Sequence, residues 1–133
     1  MKLKLLSLLL LIVVITACSI DGNENKYCTF QGQMATTAVT GADSTKVNVP
    51  VNLNVTFVIG NNCGQFNQFL STAAYPKSIV ALVDYTGCEC DDKSYTQTKP
   101  YTFAATAAGT YVLKFLTENE LSPITKTIVV TAE

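Results

Sequence analysis

The chain has 133 residues, with nine lysines, ten acidic residues, and no arginine, histidine or tryptophan. Without histidine it lacks the usual general base near neutral pH and the commonest metal ligand, so Ser/His/Asp and Cys/His catalysis are excluded within the chain. The acidic balance repels nucleic acid rather than recruiting it. No cofactor, no metal site and no enzymatic activity are expected, and the length suits one domain around one core.

Lys2 and Lys4 form a short positive segment, and Leu5 to Ile15 is apolar except for Ser7. As a helix those 11 residues would cover about 16 Å, roughly half of a bilayer's hydrocarbon core. This is the apolar region of an export signal rather than a membrane span. Small residues Thr16 and Ala17 follow, then Cys18. Ile15-Thr16-Ala17-Cys18 resembles the lipobox of bacterial lipoprotein precursors. The resemblance implies cleavage before Cys18, a diacylglyceryl thioether on that cysteine and acylation of its freed amine. Two or more acyl chains give stable anchoring where one gives only marginal binding. Ser19, rather than Asp, follows the cysteine, which in many Gram-negative lipoproteins permits release to the outer membrane. The implied organisation is a signal peptide over 1–17, a lipidated linker over 18–26 and a folded domain over 27–133. Seven lysines then remain against ten acidic residues, a net charge of −3.

Ser19 to Lys26 is short, polar and contains Gly22, Asn23 and Asn25, which suits a tether. Asp21, Asn23 and Asn25 imitate the start of a calcium loop, but Lys26 stands where the turn glycine belongs and Gly32 where the closing Glu belongs. Four cysteines follow: Cys28, Cys63, Cys88 and Cys90. An even count in an exported chain reads as disulfides. Cys88 and Cys90 flank Glu89 alone, so bonding them to each other would close a very tight ring. Each is expected to reach a distant partner, Cys28 or Cys63, with the pairing open.

From Tyr27 onward the apolar period is two. Val47, Val49, Val51, Leu53, Val55, Phe57 and Ile59 occupy every odd position, with polar residues or Pro50 between most of them. That is an apolar-in, polar-out strand, with Pro50 marking an edge or break near its start. Gly60-Asn61-Asn62 is a turn signal. Gly64 to Ser78 is ambiguous. Phe66, Phe69 and Leu70 are spaced for one or two helical turns or for core positions on an irregular crossover. Ile79 to Tyr85 reads as a buried strand, and Glu89, Asp91, Asp92 and Lys93 as a charged loop around the cysteine pair. Pro100 to Thr106, Thr110 to Thr117 and Ile124 to Thr131 read as a closing meander. With a first strand near Cys28 to Val39, about seven strands form one all-β unit.

Gly109-Thr110-Tyr111-Val112-Leu113 resembles the E–F corner of immunoglobulin-like domains, where a Tyr hydroxyl bonds back to the backbone upstream. Ala107 and Leu113 replace the Asp and Cys of that pattern, and the expected Trp is absent. The resemblance implies a single immunoglobulin-like β-sandwich without the antibody-type inter-sheet disulfide. In a simple version of that topology Cys28 and Cys63 lie at one end and Cys88 and Cys90 at the other. Pairing across that divide requires 64–78 to carry the chain back before the strand at Ile79 begins.

Asn61, Asn62, Gln65, Phe66, Phe69 and Tyr75 are the candidate binding residues, since amides with aromatics suit sugars or peptides. The competing reading puts those aromatics in the core and the amides in water. Asp84, Glu89, Asp91 and Asp92 offer oxygen ligands to a cation, though a solvated loop explains them more simply. Asp43-Ser44-Thr45 resembles an O-glycosylation acceptor reported in some Gram-negative phyla. The expectation is a monomeric, non-catalytic binding or assembly module on the cell envelope, anchored through Cys18 and meeting an envelope protein or glycan. The alternative is a carbohydrate-binding module of the outer membrane.

Overall fold

The computed structural model describes residues 28–132. The signal, Cys18, the linker over 18–26 and Tyr27 lie outside the described residues. Nine strands form two sheets: β1 (Thr29–Met34), β2 (Thr36–Thr40), β3 (Ser44–Lys46), β4 (Val51–Ile59), β5 (Gly64–Ser71), β6 (Lys77–Thr86), β7 (Tyr95–Phe103), β8 (Gly109–Phe115) and β9 (Ile124–Thr131). One sheet has three strands in the order β2-β4-β7. The other has six, β1-β6-β8-β9-β3, with β5 also on β6.

Strict alternation along β4 puts Leu53, Val55, Phe57 and Ile59 wholly out of solvent. They face Ile79, Ala81, Val83 and Tyr85 of β6, Leu113 and Phe115 of β8, and Ile128 and Val130 of β9 in one core. Each such aliphatic or Phe side chain contributes about 1.5–3 kcal/mol by leaving water. The polar positions of β4 pair across to β7 on the outer face. Asn52 Oδ1 accepts from Thr102 Oγ1 at 2.8 Å, and the Thr56 and Thr98 hydroxyls lie 2.8 Å apart.

Nine strands replace the seven of the sequence reading, for identifiable reasons. The first strand is two, because the chain leaves the larger sheet at Ala35 and pairs Thr36–Thr40 with β4 in the smaller one. The run from Val47 to Ile59 is regular only from Val51. Before it Asn48 takes φ 60° in a turn that ends at Pro50, and Ser44–Lys46 forms an extra parallel pairing with β9. Tyr95–Phe103 starts five residues before Pro100. Pro100 is tolerated inside it because β7 pairs only with β4 and has a free edge.

The ambiguous segment 64–78 contains no helix; it is β5 and the turn into β6. A bulge between Phe66 and Gln68 adds one residue to β5. The extra residue shifts the alternation, so Phe66 and Phe69, three apart, face the same side. That displacement produced the helical spacing in the sequence. Strand β5 runs away from the cysteine-bearing end and β6 returns to it, which is the reversal that pairing Cys28 and Cys63 with Cys88 and Cys90 requires.

Strand β6 is the hub. Strand β5 covers one edge, where Thr72 N donates to Ser78 O. The opposite edge is shared: β8 pairs parallel at Lys77–Ile79, and β1 pairs antiparallel from Ala81 to Thr86. The backbones of the two neighbours diverge at Val80.

Candidate functional site

Four cysteines gather at one end of the sandwich as Cys28–Cys88 and Cys63–Cys90. They hold the segment 87–94, which has no regular pairing, onto β1 and the β4–β5 turn. The backbone reinforces them: Gly87 N donates to Cys28 O at 2.8 Å and Thr86 N to Cys63 O at 3.3 Å. Gly87 has φ 137°, and a Cβ there would lie 3.0 Å from Cys63 Sγ, so only glycine fits without strain. By the loop-entropy argument, closing segments of 60 and 27 residues is worth about 4 kcal/mol each. With all four sulfurs bonded, no thiolate is left among them to bind a metal or to act as a nucleophile.

Asn61 and Asn62 belong to this end and serve its backbone. Asn61 Oδ1 accepts from Cys63 N at 3.0 Å, and Asn62 Oδ1 accepts from Asp91 N at 2.9 Å. The cap is completed by Tyr85, whose hydroxyl accepts from Gly60 N at 3.0 Å and donates to Met34 Sδ at 3.2 Å. Phe30 stacks on its ring at 4.5 Å between centroids. Tyr95 Oη donates to Gly64 O at 2.9 Å. Asp84 accepts from Gln31 Nε2 and Asn67 Nδ2, at 2.7 and 2.6 Å. That carboxylate spans three strands of the outer face rather than joining Glu89, Asp91 and Asp92 around a cation.

The six candidate binding residues do not form one platform. Phe66 and Phe69 turn inward against Phe57, with ring centroids 5.4 and 6.1 Å away, and Phe69 continues to Tyr101 at 5.6 Å. Gln65 is exposed on β5. Tyr75 sits at the opposite end of the sandwich, set edge-on against Tyr111 at 4.9 Å with Lys77 Nζ 5.2 Å from its ring centroid. Phe66 and Phe69 are thus partly buried against the core, while the amides face water or bind backbone, the arrangement of the competing reading.

Comparison of the chain with protein-family models, with curated proteins and with solved structures finds no match.

At the Tyr75 end, Tyr111 Oη donates to Ala107 O at 2.9 Å, the upstream bond expected of the corner. Tyr111 packs against Phe103 at 5.4 Å, so a chain of rings runs from exposed Tyr75 to the core. Burial pushes the Tyr101 hydroxyl above its ordinary pKa; a hydrogen bond with Ser71 opposes this, and the charge of Tyr75 adds to it. Asp43 is paired with Lys126, Ser44 is exposed on β3, and Thr45 Oγ1 donates to Val49 O at 2.9 Å.

One concavity escaped the sequence reading. Where β1 and β8 part over Val80, a depression of about 320 Å³ is lined by Met34, Ala35, Val80, Leu116, Glu118 and Glu120, among others. A second, of about 270 Å³, shares Gln33, Val80 and Leu116 with it and continues toward Leu70 and Thr72. The sequence treats 118–123 only as a turn. Its one signal was an apolar Leu121 in an acidic turn, and that side chain is 93% exposed.

Proposed function

We propose that this chain is a lipid-anchored, non-catalytic binding or assembly module of the cell envelope, with an immunoglobulin-like sandwich as its folded part. What supports the anchor is the position of the lipobox relative to the fold. Nine residues, 19–27, separate Cys18 from Cys28, the cysteine bonded to Cys88. Ten residue steps span at most about 36 Å when extended, so an anchor on Cys18 would hold the disulfide end within that distance of the bilayer. The Tyr111–Ala107 bond supports the immunoglobulin-like reading, while the parallel β6–β8 pairing departs from sheets that are antiparallel throughout. The absence of histidine from the sequence supports a binding role over an acid–base one.

Anchoring is tested by expressing Cys18→Ser beside the parent in a bacterium that processes lipoproteins. The parent is expected in the membrane fraction, and the variant in the soluble envelope fraction or uncleaved. A parent that carries no lipid and is cut at the same site as the variant would reject the anchor.

A further inference from the structure

We propose that the concavity over Val80 is a docking groove for an extended segment of another protein that places a Lys or Arg two or three residues from an aliphatic side chain. The proposal rests on the reading of the chain as a binding module and names the partner's chemistry. It does not depend on the anchor.

The groove follows from the topology. Strand β8 stops pairing with β6 at Ile79 and β1 starts at Ala81. Leu116 N closes the β8 side on Ile79 O at 2.9 Å, and Thr36 N binds Leu116 O at 2.8 Å where the chain crosses to the other sheet. Between these closures the edge of β6 passes from β8 to β1, and the Val80 side chain, 9% exposed, lies at the bottom of the depression. Val80, Leu116 and Ala35 supply the apolar part of the lining, which Leu70 extends toward β5, and Gln33 and Thr117 supply polar groups beside it. Combined, the two depressions have the size of a site for two or three side chains.

Charge selects the occupant. Glu118 and Glu120 are both exposed and both line the groove at one end. Among the described residues the ion pair is Lys126–Asp43, and neither glutamate takes part in one. Lys114, two residues before Leu116, makes no ion pair with either glutamate. A floor that wants an aliphatic group, beside two unneutralised carboxylates, fits a basic–aliphatic peptide and disfavours an acidic one. The same carboxylates disfavour an anionic lipid surface.

The test is selection of random octapeptides displayed on phage against the processed chain as isolated from the envelope, in detergent micelles, repeated with Glu118→Gln/Glu120→Gln. Both substitutions are on exposed side chains and leave the core untouched. Enrichment of peptides with Lys or Arg two or three positions from Leu, Ile or Val is expected. Their synthetic forms should bind the double variant about five- to tenfold more weakly and lose affinity as salt rises. They should also shift the NMR signals of Val80 and Leu116. Enriched peptides without basic residues, or with affinity unchanged in the double variant, would overturn the groove while leaving a binding module elsewhere on the chain. A dimer seen by sedimentation that the double variant dissociates would assign the groove to a second copy and overturn the proposal. Failure of any peptide to enrich would also overturn it. Whether Cys18 carries lipid is read separately.

Discussion

The two ends of this sandwich are held by different physics. At one end the irregular segment 87–94 is fixed by Cys28–Cys88 and Cys63–Cys90, with Asn61 and Asn62 binding nearby backbone. At the other the connections are held by packing and single bonds: Tyr75 on Tyr111, Tyr111 on Phe103, the Tyr111–Ala107 bond and the Lys126–Asp43 pair. Covalent links restrict the unfolded chain as well as the folded one, so they secure a segment that buries little apolar surface. Packing can do the same only where rings reach the core. The end that continues into the linker is thus cross-linked, and the opposite end depends on its aromatics.

The largest test of this contrast is Cys63→Ser/Cys90→Ser. Loss of that bridge is expected to cost about 2–5 kcal/mol in denaturant unfolding. Hydrogen exchange should rise first at 87–94 while β8 and β9 stay protected. Uniform loss of protection would merge the two ends into one cooperative unit. Gly64→Ala comes next. Its Cβ would collide with Ile59 and Tyr85, and overpacking of this kind costs about 1–3 kcal/mol. At the other end Tyr111→Phe keeps the ring and deletes the bond to Ala107 O. A cost of about 1 kcal/mol is expected from chemical denaturation, with exchange rising at 104–108 and unchanged at 87–94. Asp43→Asn removes the pair from its 81% exposed side and leaves the Lys126 bond to Gly41 O in place, so its effect should stay below about 1 kcal/mol and shrink with salt.

The smallest effect is alkaline. The Tyr101 hydroxyl titrates higher in the folded chain than in the unfolded one because it is buried. Above the unfolded value near 10 the unfolded chain sheds its proton first, so this contribution to stability is full below that pH and is lost as pH rises toward the folded pKa. Tyr101→Phe should flatten that part of the profile of thermal midpoint against pH. An unchanged alkaline slope would assign the loss to other groups.

Much of the fold was legible because burial on one face writes a period of two. The alternation of Leu53, Val55, Phe57 and Ile59, and the strand Ile124–Thr131, needed no structure to be read. The expectation that Cys88 and Cys90 reach different distant partners followed from the single residue between them, and the two bridges have that form. The strand β5 was hidden because one bulged residue turns a period of two into a spacing of three. Strand β3 was hidden because a three-residue parallel pairing leaves little pattern. The groove was hidden for a different reason. It lies where β1 and β8 exchange along one edge of β6, and Met34, Val80 and Leu116 meet there only through topology. Phe66 and Phe69 were legible both as core side chains and as a binding face, since an aromatic beside amides has the same sequence whichever way it turns.

Intact mass of the protein purified from membranes, before and after reduction, tests the central claim most directly. The account predicts loss of residues 1–17, a lipid adduct on Cys18 and a gain of about four hydrogens on reducing two disulfides. A mature chain cut elsewhere and carrying no lipid would contradict it, and the protein would then be an unanchored module.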